Sequence, residues 1–129
     1  MALGLALDVL ASVEHRWGDE TEAGRLVAEA LAHYRGVRYR EGEASALSLA
    51  GAIAQRAGRA ADARDSFRAA LELCRRIGHR AGTAGALEGL ADVASASGAA
   101  DEATVLRTEA AALRAEIGVP RLAARLAGD

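Results

Sequence analysis

The sequence predicts an all-α chain: an α-α superhelix (solenoid) of three helix-turn-helix repeats, closed by a short C-terminal capping helix. Three observations carry this. Strong helix formers, alanine, leucine and arginine, are abundant, and a single proline stands in 129 residues, so the commonest helix breaker is nearly absent. Apolar residues recur at helical spacing, as in Leu47, Ala50, Ile53, Ala54 and Ala57. The third is a gapless repeat of forty residues: Gly18, Gly58 and Gly98 keep that step (58−18 and 98−58). Leu7, Leu47 and Leu87 keep it as well, as do Ala23, Ala63 and Ala103, Ala30, Ala70 and Ala110, and Val37, Ile77 and Ile117. Five such series in register mark a repeat architecture.

The chain reads as one domain over 1–129, with repeats at about 4–43, 44–83 and 84–118 and the capping helix at about 119–127. The first helix of unit one is apolar around most of its circumference, through Leu3, Leu5, Leu7, Val9, Leu10 and Val13. After Gly18 comes its second helix, with Glu20 and Glu22 at the start and Arg35 and Arg38 at the end, the charge order that suits a helix dipole. In unit two the first helix stops at Gly58, a residue free to adopt a left-handed C-cap. Its second helix runs from about Ala60 to Ile77, with Ala63, Phe67, Ala70, Leu71 and Cys74 on one face, and ends at Gly78. Asp62 opens that helix and Arg75 and Arg76 close it. Unit three repeats the plan with Asp101, Glu102 and Arg114. In the tail, Pro120 suits a first helical turn and Leu122 and Leu126 are four apart.

Charge and cysteine content narrow the function classes. Sixteen basic and 18 acidic residues leave a net charge of −2, so no global field draws the chain to nucleic acid or an anionic membrane. Every basic residue is arginine, a bias expected of a GC-rich bacterial genome. The single Cys74 forms no internal disulfide, which suits a reducing cytoplasm. The N-terminus lacks a basic region before its apolar run, and no apolar run approaches the ~20 residues needed to span a bilayer. The expectation is a cytoplasmic protein without a membrane segment.

Within each unit the spacing resembles the tetratricopeptide repeat. Leu47, Ala50, Gly51 and Ala54 fall at that motif's large, large, small and large positions; Gly58, Ala63, Phe67 and Ala70 match its turn glycine, small, aromatic and small positions. Leu7, Leu10, Ala11, Gly18, Ala23, Val27 and Ala30 do the same in unit one, and Leu87, Leu90, Ala91, Ala94, Gly98, Ala103 and Ala110 in unit three. Three features depart from the family: the period is forty rather than its usual 34, Glu14 stands at an apolar position, and Arg107 replaces the equivalent of Phe67. Arg107 suits the polar exposed face of a terminal repeat. Residues 87–120 also resemble the C-terminal repeat region of actinobacterial LuxR-type and AfsR-like regulators, through Gly89-Leu90-Ala91, Gly98, Ala112-Leu113-Arg114 and Ile117-Gly118-Val119-Pro120. Neither a phosphate-binding glycine loop nor a helix-turn-helix reader accompanies them here.

The tetratricopeptide resemblance implies a non-enzymatic protein–protein interaction module that binds a protein or peptide segment in a concave groove lined by first helices. It places Leu5, Asp8, Ser12, His15 and Arg16 of unit one in that groove. Unit two adds Ser45, Ser48, Ala52, Gln55 and Arg56, and unit three Gly85, Glu88, Asp92, Ser95 and Ala96. Arg16 and Arg56, forty apart, would stack in adjacent units and suit a carboxylate on the partner. The apolar first helix suggests a homodimer through Leu3, Leu5, Val9 and Val13. The regulator resemblance implies an alternative, a sensor or regulatory arm of a larger signalling ATPase or transcriptional regulator.

A row of bases at the inter-repeat turns, Arg35 and Arg75, Arg40 and Arg80, with His79, Arg121, Arg125, Tyr34 and Tyr39 nearby, offers a minor nucleic-acid reading; solvated helix ends explain the cations first. No catalytic, cofactor or metal site is expected. His15, His33 and His79 lack metal-ligand spacing with Cys74, Cys74 falls on an apolar helix face, and Ser12, His15 and Asp8 are too generic a set to activate a nucleophile.

Overall fold

The computed structural model describes the backbone of residues 20–128 and the side chains of residues 21–118. Five helices follow one another: α1 (Glu20–Gly36), α2 (Arg40–Arg56), α3 (Ala60–Ile77), α4 (Arg80–Ala96) and α5 (Ala100–Gly128). No strand occurs among the described residues. α2 pairs with α3 and α4 with α5 as two helix-turn-helix units, and α1 is the second helix of the unit before them. The expected first helix of unit one, with Leu3, Leu5, Val9 and Val13, lies outside the described residues.

Four turns, twenty residues apart, set the path of the chain. Each turns on one residue with left-handed backbone: Arg38 (φ 57°), Gly58 (79°), Gly78 (72°) and Gly98 (85°). In each, the next residue's N–H closes back over the helix end: Tyr39 N donates to Tyr34 O (2.9 Å), Arg59 N to Ala54 O (2.8 Å), His79 N to Cys74 O (2.9 Å) and Ala99 N to Ala94 O (2.8 Å). Carbonyls that a helix end would leave bare are thereby satisfied before the chain reverses. The same bonds start each following helix two residues after the left-handed residue. First helices therefore begin at Arg40 and Arg80, four residues ahead of the expected unit boundaries at 44 and 84.

Each first helix is clasped on two sides. Ala44 and Leu47 of α2 pack with Ala70, Leu73 and Cys74 of α3, while Ala84 and Leu87 of α4 pack with Ala110 of α5. The opposite side of the first helix meets the second helix of the preceding unit at very short range. A Cβ at Gly42 would stand 2.6 Å from the rings of Tyr34 and Tyr39, and one at Gly89 2.4 Å from Phe67. Such distances are open only to glycine, and they let backbone approach aromatic ring directly. α1, α3 and α5 lie in one layer, held apart by α2 and α4 in the other.

The tail differs from expectation. Residues 119–127 are helical, but α5 runs into them without a break and reaches Gly128. Gly118, forty residues after Gly78, does not take the left-handed conformation. Glycine permits that turn without forcing it; at Gly58, Gly78 and Gly98 the following helix docks against the preceding one and holds the turn closed, and no described helix does so after Gly118. Pro120, expected to open a separate helix, sits inside α5, where it withholds one backbone hydrogen bond.

Arg38 occupies the left-handed position that the other three turns give to glycine. A non-glycine residue there costs roughly 1–2 kcal/mol, and glycine's greater freedom in the unfolded chain gives back about 0.5–1 kcal/mol of that difference. Arg38→Gly is therefore expected to raise stability by roughly 0.5–1 kcal/mol, read as a higher urea midpoint with an unchanged slope. A lower midpoint would show that the arginine side chain, rather than the backbone, holds this turn.

Candidate functional site

The first helices α2 and α4 lie side by side, and the residues expected to line a groove on them differ in exposure. On α2, Ser45 and Arg56 are exposed and Ser48, Ala52 and Gln55 half-buried; on α4, Asp92, Ser95 and Ala96 are exposed and Gly85 and Glu88 half-buried. These residues are small or polar because the larger apolar ones, Leu47, Ile53, Leu87, Leu90 and Val93, turn toward the second helices. Asp8, Ser12, His15 and Arg16 lie outside the described residues.

The two carboxylates among these residues are engaged by α5. Arg114 grips Glu88 with both arms of its guanidinium, Nε to Oε2 at 2.8 Å and Nη2 to Oε1 at 2.6 Å. Arg107 reaches Asp92 at 3.3 Å. The four side chains, with Ala111, line an open cavity of about 690 Å³ at the end of unit three. The bidentate bond holds the Glu88 carboxyl below its ordinary range and the Arg114 guanidinium above its own. In unit two the equivalent seat, between α2 and α3, receives α4: Ala52, Phe67 and Leu71 pack there with Leu90 and Val93, and Cys74 meets Gly82; Ser48 holds the place of Glu88 in the repeat. Unit three replaces Ser48, Ala52, Phe67, Leu71 and Cys74 with Glu88, Asp92, Arg107, Ala111 and Arg114. The polar end expected from Arg107 is thus a pair of ion pairs, and Arg114 is the partner that sequence reasoning assigned only to a helix end. Acids at i and i+4 of one helix with bases at i and i+7 of its neighbour were the available signal.

The bases Arg35, Arg40, Arg75 and Arg80 stand at exposed helix ends, as expected, and each also meets a carboxylate. Arg35 and Arg40 converge on the buried Glu43, at 3.1 and 3.0 Å. Arg75 pairs with Glu109 at 2.8 Å and Arg80 with Glu116 at 3.3 Å. Arg35 meets Glu43 across the turn between α1 and α2, while Glu109 and Glu116 reach Arg75 and Arg80 from α5; Arg40 and Arg80 open their helices, where the dipole disfavours a cation, and their carboxylates offset this. Tyr34 is fully buried and Tyr39 packs edge-on against it, ring centres 5.6 Å apart, so Tyr34 presents no face for a base to stack on. His79 is the N-cap of α4: its Nδ1 accepts from Gly82 N at 2.8 Å. Cys74 is buried, and that burial pushes its thiol up, away from the reactive thiolate. No cluster of three or more metal-ligating side chains occurs among the described residues, and none of their helices is long and apolar enough to cross a membrane.

Glu88 and Arg114 are about half exposed, so the pair contributes less than about 1 kcal/mol. The folded carboxyl lies below its ordinary value; the contribution is therefore complete above the unfolded value of about 4.3 and fades as pH falls through the folded one. Glu88→Gln should lower thermal stability slightly at pH 7, with the difference from the parent closing below about pH 4. A difference that persists unchanged at pH 3 would mean that packing, not charge, holds the seat.

A family model described as "Tetratricopeptide repeat" matches residues 42–116, more than half of the chain. No curated protein matches it. The matched region spans nearly all of α2 and the first part of α5, with α3, α4 and the turns on Gly58, Gly78 and Gly98 between them. With the glycine-seated helix pairs and the alternating two-layer packing, it places the chain in the tetratricopeptide repeat family, whose repeats generally mediate protein–protein interaction.

Proposed function

We propose that the chain is a protein-interaction module that holds an extended segment of a partner protein along the face of its first helices. The observation that carries this reading is the juxtaposition of α2 and α4, with Ser45, Ser48, Gln55 and Arg56 on one and Glu88 and Asp92 on the other. Small side chains let a partner backbone come close, while hydroxyl, amide and guanidinium groups supply the donors that an extended backbone needs. Arg56, with Arg16 forty residues earlier, would suit a carboxylate on the partner through paired hydrogen bonds. The apolar Leu3, Leu5, Val9 and Val13 support self-association through the first helix of unit one.

The likeness of residues 87–120 to the repeats of LuxR-type and AfsR-like regulators favours a second reading, in which the chain is the sensor arm of a longer regulator. The size of the natural gene product, tagged at its C-terminus and blotted, separates the two. A band near 13.3 kDa fits a stand-alone module, and a much larger one fits the regulator arm.

A photo-crosslinking residue at Ser45 should capture a partner in the source cell, whereas one at Asp65, on an outer helix, should not. Arg16→Ala combined with Arg56→Ala should abolish the Ser45 adduct while the helical circular dichroism stays unchanged. Equal capture from both positions, or an adduct that survives the double variant, would remove the groove from consideration.

A further inference from the structure

Because α2 and α4 hold the outer helices apart, two furrows run along the outer layer. One lies between α1 and α3 with α2 as its floor, the other between α3 and α5 over α4. The repeat makes them equivalent, but their contents differ. In the second furrow Phe67 packs with Leu90 and Val93, and Leu106 closes over that cluster. Forty residues earlier, Val27 stands for Phe67, Ala50 for Leu90 and Ser66 for Leu106. On the rim, Gly24 and Ala28 replace Arg64 and Arg68. Every one of these exchanges removes side-chain volume, and a Cβ at Gly24 would meet nothing within 4 Å.

An open cavity of about 480 Å³ results, floored by Val27, Leu31, Ala50 and Ile53, with Arg59, Asp62 and Ser66 at its edge. It continues past Gly24 and Arg59 into a second cavity of about 430 Å³ that reaches Thr21 and Ala57. Two cavities in line suit a chain segment better than a compact small molecule. The filled furrow shows what such a space takes: a phenyl ring and an isobutyl group. Arg59 sits where the two cavities join, exposed and only loosely tied to Asp62 at 3.7 Å.

We propose that the furrow between α1 and α3 is a second docking site, on the layer opposite the first-helix face. It takes a partner protein segment that inserts a phenylalanine- or leucine-sized side chain over Val27 and Ile53 and sets a neighbouring carboxylate against Arg59. Apolar anchors of this kind dominate protein recognition when they enter a preformed, water-excluding pocket, and a carboxylate adds a charge-assisted bond at the rim. The site is independent of the groove proposed above.

The test is a titration of the ¹⁵N-labelled full chain with N-acetyl-L-phenylalanine, which carries both the ring and the carboxylate. Saturable shifts are expected in residues 24–31, 50–54 and 59–66, with N-acetyl-L-alanine at least about tenfold weaker for want of the ring. Ser66→Leu and Val27→Phe each copy the filled furrow. They should weaken the phenylalanine derivative by a similar factor, with Ser66→Leu melting no lower than the parent. Arg59→Gln should erase the preference for N-acetyl-L-phenylalanine over its uncharged amide. Absence of saturation, shifts confined to other helices, or equal binding by the filled variants would overturn the proposal. So would a concentration-dependent mass in light scattering that Ser66→Leu abolishes, since the occupant would then be a second copy of this chain.

Discussion

Backbone-to-ring contact at the seams between units is the constraint on which the rest of the array depends. Gly42 faces the Tyr34 ring and Gly89 the Phe67 ring, while Gly82 is set the same way against the Cys74 sulfur, each with no room for a methyl group. A first helix that enters its seat this deeply is clasped by helices on both sides, and it holds the outer helices apart. From that single distance follow the two layers, the furrows on one side and the small-residue face on the other. A chain with only 3% aromatic residues can build such an interior because Tyr34, Tyr39 and Phe67 are each set against a glycine, where a ring gains contact with peptide atoms as well as side chains.

The same seat appears at the end of unit three with its chemistry inverted. Phe67, Leu71 and Cys74 become Arg107, Ala111 and Arg114, and the facing Ser48 and Ala52 become Glu88 and Asp92. An unoccupied apolar seat would expose adhesive surface; four charges that cancel across the gap are instead content in water. The exchange also bears on recognition. Two carboxylates that would otherwise give the first-helix face a negative end are neutralised from behind, leaving hydroxyl and amide groups in charge of that surface. Charge at the turns is handled in the same way, with Glu43, Glu109 and Glu116 each answering an arginine from another helix.

Variation between the units, more than the repeat itself, sets one part of the surface apart from another. The interior positions Ala23, Ala63 and Ala103 are identical because helix approach tolerates nothing larger. Outer positions are free to differ, and the step from Phe67 and Leu106 to Val27 and Ser66 opens one furrow while its twin stays closed. Both surfaces, the polar inner face and the apolar outer furrow, are consequences of one packing scheme with different side chains at equivalent places.

The sequence by itself determined the all-helical architecture, the forty-residue step and the turns at Gly58, Gly78 and Gly98, because helix propensity, apolar spacing and glycine's left-handed backbone are local properties. The residues offered for a face of the first helices came from the resemblance to the tetratricopeptide motif, not from periodicity. Tertiary structure alone decided what those side chains meet. That Glu88 is held by Arg114 and Asp92 by Arg107, 26 and 15 residues away, depends on how α5 lies across α4. That Tyr34 is buried rather than displayed depends on the approach of Gly42. The continuation of α5 through Gly118 belongs to the same class: a glycine offers a turn, and only a helix docked beyond it decides whether the turn is taken.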